Sequence, residues 1–196
     1  MAVTIDGTTG VSLVQDGVVA TADLADGAVT AAKIGSLPAG SVLQVVQSAM
    51  TDGVGFTLNN TFSTVTALNT AITPSSTNSK ILVRVFLYVC ADGGTSPYPA
   101  FRFIKGGSPI SGATGSTTSS RRQVTGSVDP GVSSNIAIQP LYGEFLDSPN
   151  TTSETTYGIQ VIGYDNRTFN VGATGGSDGS SGSVTLQAMT LMEIAG

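Results

Sequence analysis

"SKILVRVFLYVCA", Ser79 to Ala91, alternates so strictly that it fixes the reading of the chain around it. In an extended strand Ile81, Val83, Val85, Leu87 and Val89 share one face, and Leu82, Arg84, Phe86, Tyr88 and Cys90 share the other. Both faces are largely apolar, so both are expected to be covered. The run is too short to span a bilayer and is broken by Arg84. Cys90 is the only cysteine, which rules out an intrachain disulfide framework and reads as a small buried hydrophobe.

The same period continues outward. "SVLQVVQS" opens the region at Ser41, and "SVTLQAMTLMEI" closes it from Ser183 to Ile194. This last segment predicts a half-buried strand with Val184, Leu186, Ala188, Met192 and Ile194 on its apolar face, against Thr185, Gln187 and Glu193. "YPAFRFIK", "RRQVTGSV", "NIAIQPLYGEFLD" and "TYGIQVIGYD" are further strand candidates separated by Gly, Pro, Ser and Asn clusters. "FSTVTALNTAI" is ambiguous between helix and strand, and "GATGGSDGSSGS" reads as an exposed loop. Many short strands with turn-rich connections predict an all-β antiparallel sandwich, most simply a jelly roll.

The N-terminal part follows another rule. "QDGVVATADL" (15–24) and "ADGAVTAAKI" (25–34) repeat one pattern with a period of ten residues, each copy beginning at an Asp-Gly turn. Val29 to Ile34 reads as a minimal helix start with Thr30 as N-cap, too short to persist alone. The apolar residues Val19, Leu24, Val29 and Ile34 recur every five residues, too sparse to make a core within one chain. Three chains wound about one axis could bury them, which marks these four as trimer-axis candidates. Pro38 and Gly40 make a neck. The expected organisation is a docking segment over 1–14, a short repeat stalk over 15–38 and a β-sandwich head over 39–196.

Composition narrows the function. Apolar residues are 40% of the 196 and charged residues only 11%, so solubility rests on Ser, Thr, Asn and Gly. A net charge of −5 with eight scattered Lys and Arg argues against nucleic-acid binding. The start "MAVTIDGTTG" has no signal-peptide pattern, so a soluble chain without membrane insertion is expected. Histidine is absent, which removes the commonest general base and every Ser-His-Asp or Cys-His arrangement. Glu144, Asp147, Glu154 and Asp165 are carboxylates that could serve glycoside hydrolysis, but their spacing does not favour it over solvated loops. No catalytic, cofactor or metal residue is expected. Tyr98, Arg102, Arg121, Arg122, Tyr164 and Arg167, in or beside loops, are the receptor-binding candidates, because Tyr and Arg dominate recognition surfaces.

Three stretches carry a resemblance. "TIDGTTGVSL" is similar to the opening of the short trimeric tail fibres and related fibrous virion proteins of tailed bacteriophages, notably of marine and cyanobacterial hosts, and "ADGAVTAAKI" to their shaft decapeptide. "ITPSSTNSKILVRV", "YGIQVIGYDNRTFNV" and "SVTLQAMTLMEI" resemble their C-terminal head, a trimeric β-sandwich akin to tumour-necrosis-factor heads. The resemblance implies a homotrimeric virion component, assembled in the host bacterial cytoplasm. Its N-terminus docks on other virion proteins and its head meets a host-surface glycan or protein. The alternatives are a capsid or tail decoration or plug protein touching only virion partners, and a polysaccharide depolymerase.

Overall fold

Ser79–Ala91 becomes a 12-residue strand over Lys80–Ala91 that is hydrogen-bonded along both edges, and the larger unit of the chain is arranged about it. The computed structural model describes residues 5–6, 10–11, 24–26, 28–29, 34, 37–58, 60–91, 98–128, 137–163, 167–174 and 182–196. The chain divides into two units, Met1–Pro38 and Ala39–Gly196. In the first, β1 (Ile5–Asp6) pairs with β2 (Gly10–Val11), and the Ala28 amide donates to Ala25 O at 2.9 Å, closing a turn where the second Asp-Gly repeat begins. The helix start expected over Val29–Ile34 falls mostly outside the described residues.

In the second unit β3 (Val42–Met50), β4 (Val54–Leu58), β5 (Ser63–Thr64), a 3₁₀ turn (Thr66–Leu68), β6 (Thr70–Ile72) and the central β7 (Lys80–Ala91) follow in order. Then come β8 (Ala100–Lys105), β9 (Ser108–Pro109), β10 (Gly126–Ser127), β11 (Ile138–Asp147), β12 (Thr155–Ile162), β13 (Arg167–Val171) and β14 (Gln187–Ile194). Every pairing is antiparallel, and the strands form two sheets. In the larger, β7 holds β11 along one edge from Ile81 to Cys90. Its other edge is shared between β14, paired to Lys80–Phe86, and β13, paired to Val89–Ala91. β3 flanks β14, and β4 flanks β13. The smaller sheet centres on β8 and β12, with β9 and β10 beside β8 and β5 and β6 beside β12.

Where β7 changes neighbour its backbone needs a substitute partner, and a side chain supplies it. The Tyr88 amide donates to Gln187 Oε1, while Tyr88 O accepts from the Gly172 amide at 2.9 Å. Gln187 is held in place by donating from Nε2 to both the O and the Oγ1 of Thr185, each at 2.8 Å.

Both sheets contribute to one apolar cluster. Ile81, Val83, Val85, Leu87 and Val89 of β7 pack there with Phe101 and Phe103 of β8, Tyr157, Ile159 and Val161 of β12, and Met189 and Leu191 of β14. Each fully buried aliphatic side chain contributes roughly 1.5–3 kcal/mol. Phe101 packs edge-on against Phe103 and also lies against two glycines. A Cβ built on Gly126 or Gly143 would come within 2.9 and 2.8 Å of its ring. Asp147 of the larger sheet ties the two together at one end, accepting from Tyr157 Oη at 2.6 Å and Lys105 Nζ at 2.7 Å. Burial, then the hydrogen bond to Asp147, raises the Tyr157 pKa well above its ordinary value.

Three expectations change. The apolar face of the last strand is its outer one: Ala188, Thr190, Met192 and Ile194 are half-buried, whereas Gln187, Met189, Leu191 and Glu193 point inward and are buried. Two inward polar residues are tolerated because each sits at a strand end with partners waiting. Val184 lies before the strand, bridged to Ala173. Of "RRQVTGSV" only Gly126–Ser127 joins a sheet; Arg121 to Val124 run irregularly, with the Gly115 amide donating to Val124 O at 3.1 Å. Finally, the second face of β7 is covered only in part: Cys90 is buried and Leu82 and Tyr88 are half-buried, but Arg84 and Phe86 are exposed. The ambiguous "FSTVTALNTAI" resolves into β5, the 3₁₀ turn and β6. Cys90 is buried and forms no disulfide.

Glu193 gives the fold a pH dependence. Burial alone would raise its pKa, but hydrogen bonds from the Ser75 hydroxyl, the Gln44 amide and the Ser75 backbone amide outweigh it and hold the pKa at about 2. A depressed carboxylate stabilises the fold above its unfolded value of 4.5, and that contribution is lost as pH falls toward 2. Chemical denaturation between pH 5 and 2 should show falling stability, and Glu193→Gln should flatten the slope. Gly143→Ala, which drives a methyl into the Phe101 ring, should cost about 1–3 kcal/mol in the same assay.

Candidate functional site

The larger sheet presents its outer face as three cross-strand rows. One runs Ala49, Ala188, Phe86, Tyr142 across β3, β14, β7 and β11, and another runs Val45, Met192, Leu82, Leu146. Between them lies a polar row, Gln47, Thr190, Arg84, Glu144. Strand alternation forces this arrangement, because residues opposite one another in an antiparallel pair share a face. Tyr142 is 70% exposed, Val45 56%, Leu146 46% and Phe86 42%. Phe86 stands edge-on to Tyr88 at 4.9 Å between ring centres. In the polar row Gln47 Nε2 donates to Thr190 Oγ1 at 2.8 Å, and Arg84 Nε lies 3.3 Å from Glu144 Oε2. A shallow depression of about 740 Å³ runs across the middle of this face.

A second feature lies at one end of the smaller sheet, where Asn60, Ala100, Ser120, Arg121, Arg122, Val124 and Ser127 line a cleft of about 620 Å³. Arg122 Nη1 donates to Gly163 O at 3.2 Å, while Arg121 is exposed. Among the described residues other than glycine, four have positive φ, and three of them flank this cleft in the chain: Asn60 at +55°, Tyr98 at +45° and Ser119 at +55°. Left-handed backbone at a bulky residue such as Tyr98 is strained, and such strain gathers at functional sites.

Of the receptor-binding candidates, the structure brings Arg121 and Arg122 together at the cleft, with exposed Tyr98 leading into Ala100. Arg102 lies two residues beyond Ala100, and its guanidinium is engaged within the chain. Nε and Nη2 both donate to Gln160 Oε1, at 2.9 and 2.7 Å, and the Phe62 ring covers it at 3.5 Å. Burial lowers its pKa. Arg167 opens β13 in the other sheet, and Tyr164 lies outside the described residues. Sequence reasoning missed Asn60, Phe62 and Gln160, whose roles depend on long-range pairing that no local pattern signals. Of the trimer-axis candidates Leu24, Val29 and Ile34 are exposed, and Val19 lies outside the described residues.

The carboxylates do not converge. Glu144 points outward to Arg84, whereas Asp147, three residues along the same strand, points inward to Tyr157 and Lys105. Glu154 is exposed before β12, and Asp165 lies outside the described residues. Among the described residues no three His, Cys, Asp or Glu side chains gather as a metal site. No protein-family model matches the chain, and no curated protein matches it in sequence.

The two arginine environments predict different tolerance. Arg102→Lys keeps the charge but loses the fork on Gln160 and the flat contact with Phe62. It should cost about 1 kcal/mol, a drop in Tm of roughly 2–4 °C by calorimetry. Arg121→Lys should leave stability within about 0.5 kcal/mol.

Proposed function

We propose that this chain is the subunit of a short homotrimeric fibre of a tailed bacteriophage. Its N-terminus docks on other virion proteins, and its jelly-roll head recognises a host surface receptor, a glycan first of all. The observation that carries the reading is the open outer face of the larger sheet. Two rows of apolar side chains, including Phe86, Tyr142, Val45 and Leu146, face solvent in the lone chain. Rows of large apolar side chains left facing solvent mark an interaction surface.

A second copy of the chain is the occupant that fits best. Along the polar row one positive charge, Arg84, stands beside one negative charge, Glu144, so the middle of the face neither attracts nor repels a surface of its own kind. Leu24, Val29 and Ile34, exposed at five-residue intervals, support the same association in the N-terminal unit. The number three rests on the resemblance of the repeat and head to trimeric fibres. Two sheets sharing one core support the jelly-roll reading. Three identical heads then multiply weak contacts with a repeated glycan into avidity, and the cleft at Arg121 and Arg122 is the surface assigned to that contact.

Light scattering of the purified chain should give three times the 19.7 kDa monomer mass. Phe86→Asp, which places three carboxylates in the buried face, should give a folded monomer. A well-folded wild-type monomer at all concentrations would overturn the reading. Ile34→Asp should loosen the N-terminal assembly and block incorporation into particles while leaving the head's melting transition in place, and Lys33→Asp should do little. Binding of the chain to host cells, weakened by Arg121→Ala, tests the receptor half; loss of host-surface binding at high valency would favour a decoration protein.

A further inference from the structure

We infer that the polar row Gln47, Thr190, Arg84, Glu144 sets the single register in which copies of this chain associate through the outer face of the larger sheet. The inference rests on the self-association proposed above. The row is one residue wide and crosses all four strands between two apolar rows, each about 7 Å away along the strand direction. Within the chain it is satisfied economically: Gln47 uses one donor on Thr190, and Arg84 uses Nε on Glu144.

Much of its capacity is left over. A guanidinium has five N–H donors and a carboxylate accepts about four hydrogen bonds. The Arg84 and Glu144 side chains are 56% and 65% exposed, so water fills the remainder in the lone chain. Association removes that water. If an apolar row of the neighbour lies over the polar row, those donors and acceptors are stripped without replacement. If polar row meets polar row, Arg84 of one copy can reach Glu144 of the next, and the Gln47 amide meets groups of its own kind. The apolar rows then fall onto one another as well. Apolar contact alone is indifferent to sliding, so the polar row selects one alignment and lowers affinity in exchange, as a single buried polar layer does in coiled coils.

Native mass spectrometry of the full chain over a range of concentrations tests this. Wild type should show one stoichiometry. Arg84→Glu, which leaves the row two negative charges and no positive one, should raise the concentration for half-assembly at least tenfold, and Arg84→Glu with Glu144→Arg should bring it back to near wild type. Arg84→Met with Glu144→Leu should assemble at lower concentration but spread over several stoichiometries. The inference falls if the Met/Leu variant keeps the single wild-type stoichiometry, or if Arg84→Glu assembles as wild type does. A wild-type chain that stays monomeric throughout overturns the self-association reading beneath it, which separates the two failures.

Discussion

Everything in the larger unit depends on β7 being paired along both edges while one of its faces is buried throughout and the other is left open at its centre. Ile81, Val83, Val85, Leu87 and Val89 lose all but a trace of their contact with water, and Arg84 and Phe86 on the reverse side keep theirs. A strand interior to a sheet leaves no backbone group for solvent. The exchange of β14 for β13 near Tyr88 would break that rule, and the Gln187 side chain repairs it. An inward glutamine near the start of the last strand is therefore a hydrogen-bonding replacement for missing backbone.

The inner and outer faces use polar groups differently. Inside, three polar side chains have fixed sets of partners: Asp147 with Tyr157 and Lys105, Glu193 with Ser75 and Gln44, Gln187 with Tyr88 and Thr185. These bonds join strands to neighbouring connections or to the opposite sheet, so they hold the two layers in alignment while the apolar cluster supplies most of the driving force. Outside, Arg84 and Glu144 are paired but exposed, and such a pair contributes little to the stability of a lone chain. Its significance lies in what happens when that face is covered.

The period-two pattern of Ser79–Ala91 was enough to read an all-β chain and to sort β7 into two faces, because alternation is a local property of the strand, but it did not tell which face is the core. The last strand was read in reverse for the same reason. Ala188, Met192 and Ile194 look like a core face by hydropathy, yet the register with β7 puts Met189 and Leu191 inside together with Gln187 and Glu193. Register is a long-range quantity, and the partners that make a buried glutamate acceptable, Ser75 and Gln44, lie 118 and 149 residues away in sequence. The arginine candidates divided on the same principle. Arg121 was legible as an exposed loop cation, whereas the engagement of Arg122 by Gly163 and of Arg102 by Gln160 and Phe62 depends on strand pairing and loop packing.

The central claim is that the outer face of the larger sheet is covered in solution by other copies of the chain. Hydroxyl-radical footprinting read by mass spectrometry tests it residue by residue, with Tyr98 as an internal reference. In the lone chain Tyr142 is 70% exposed and Tyr98 49% exposed. The account predicts that at assembly concentrations Tyr142 and Phe86 are protected while Tyr98 is labelled, and that protection fades on dilution. Labelling of Tyr142 at least as strong as that of Tyr98, unchanged with concentration, would contradict it.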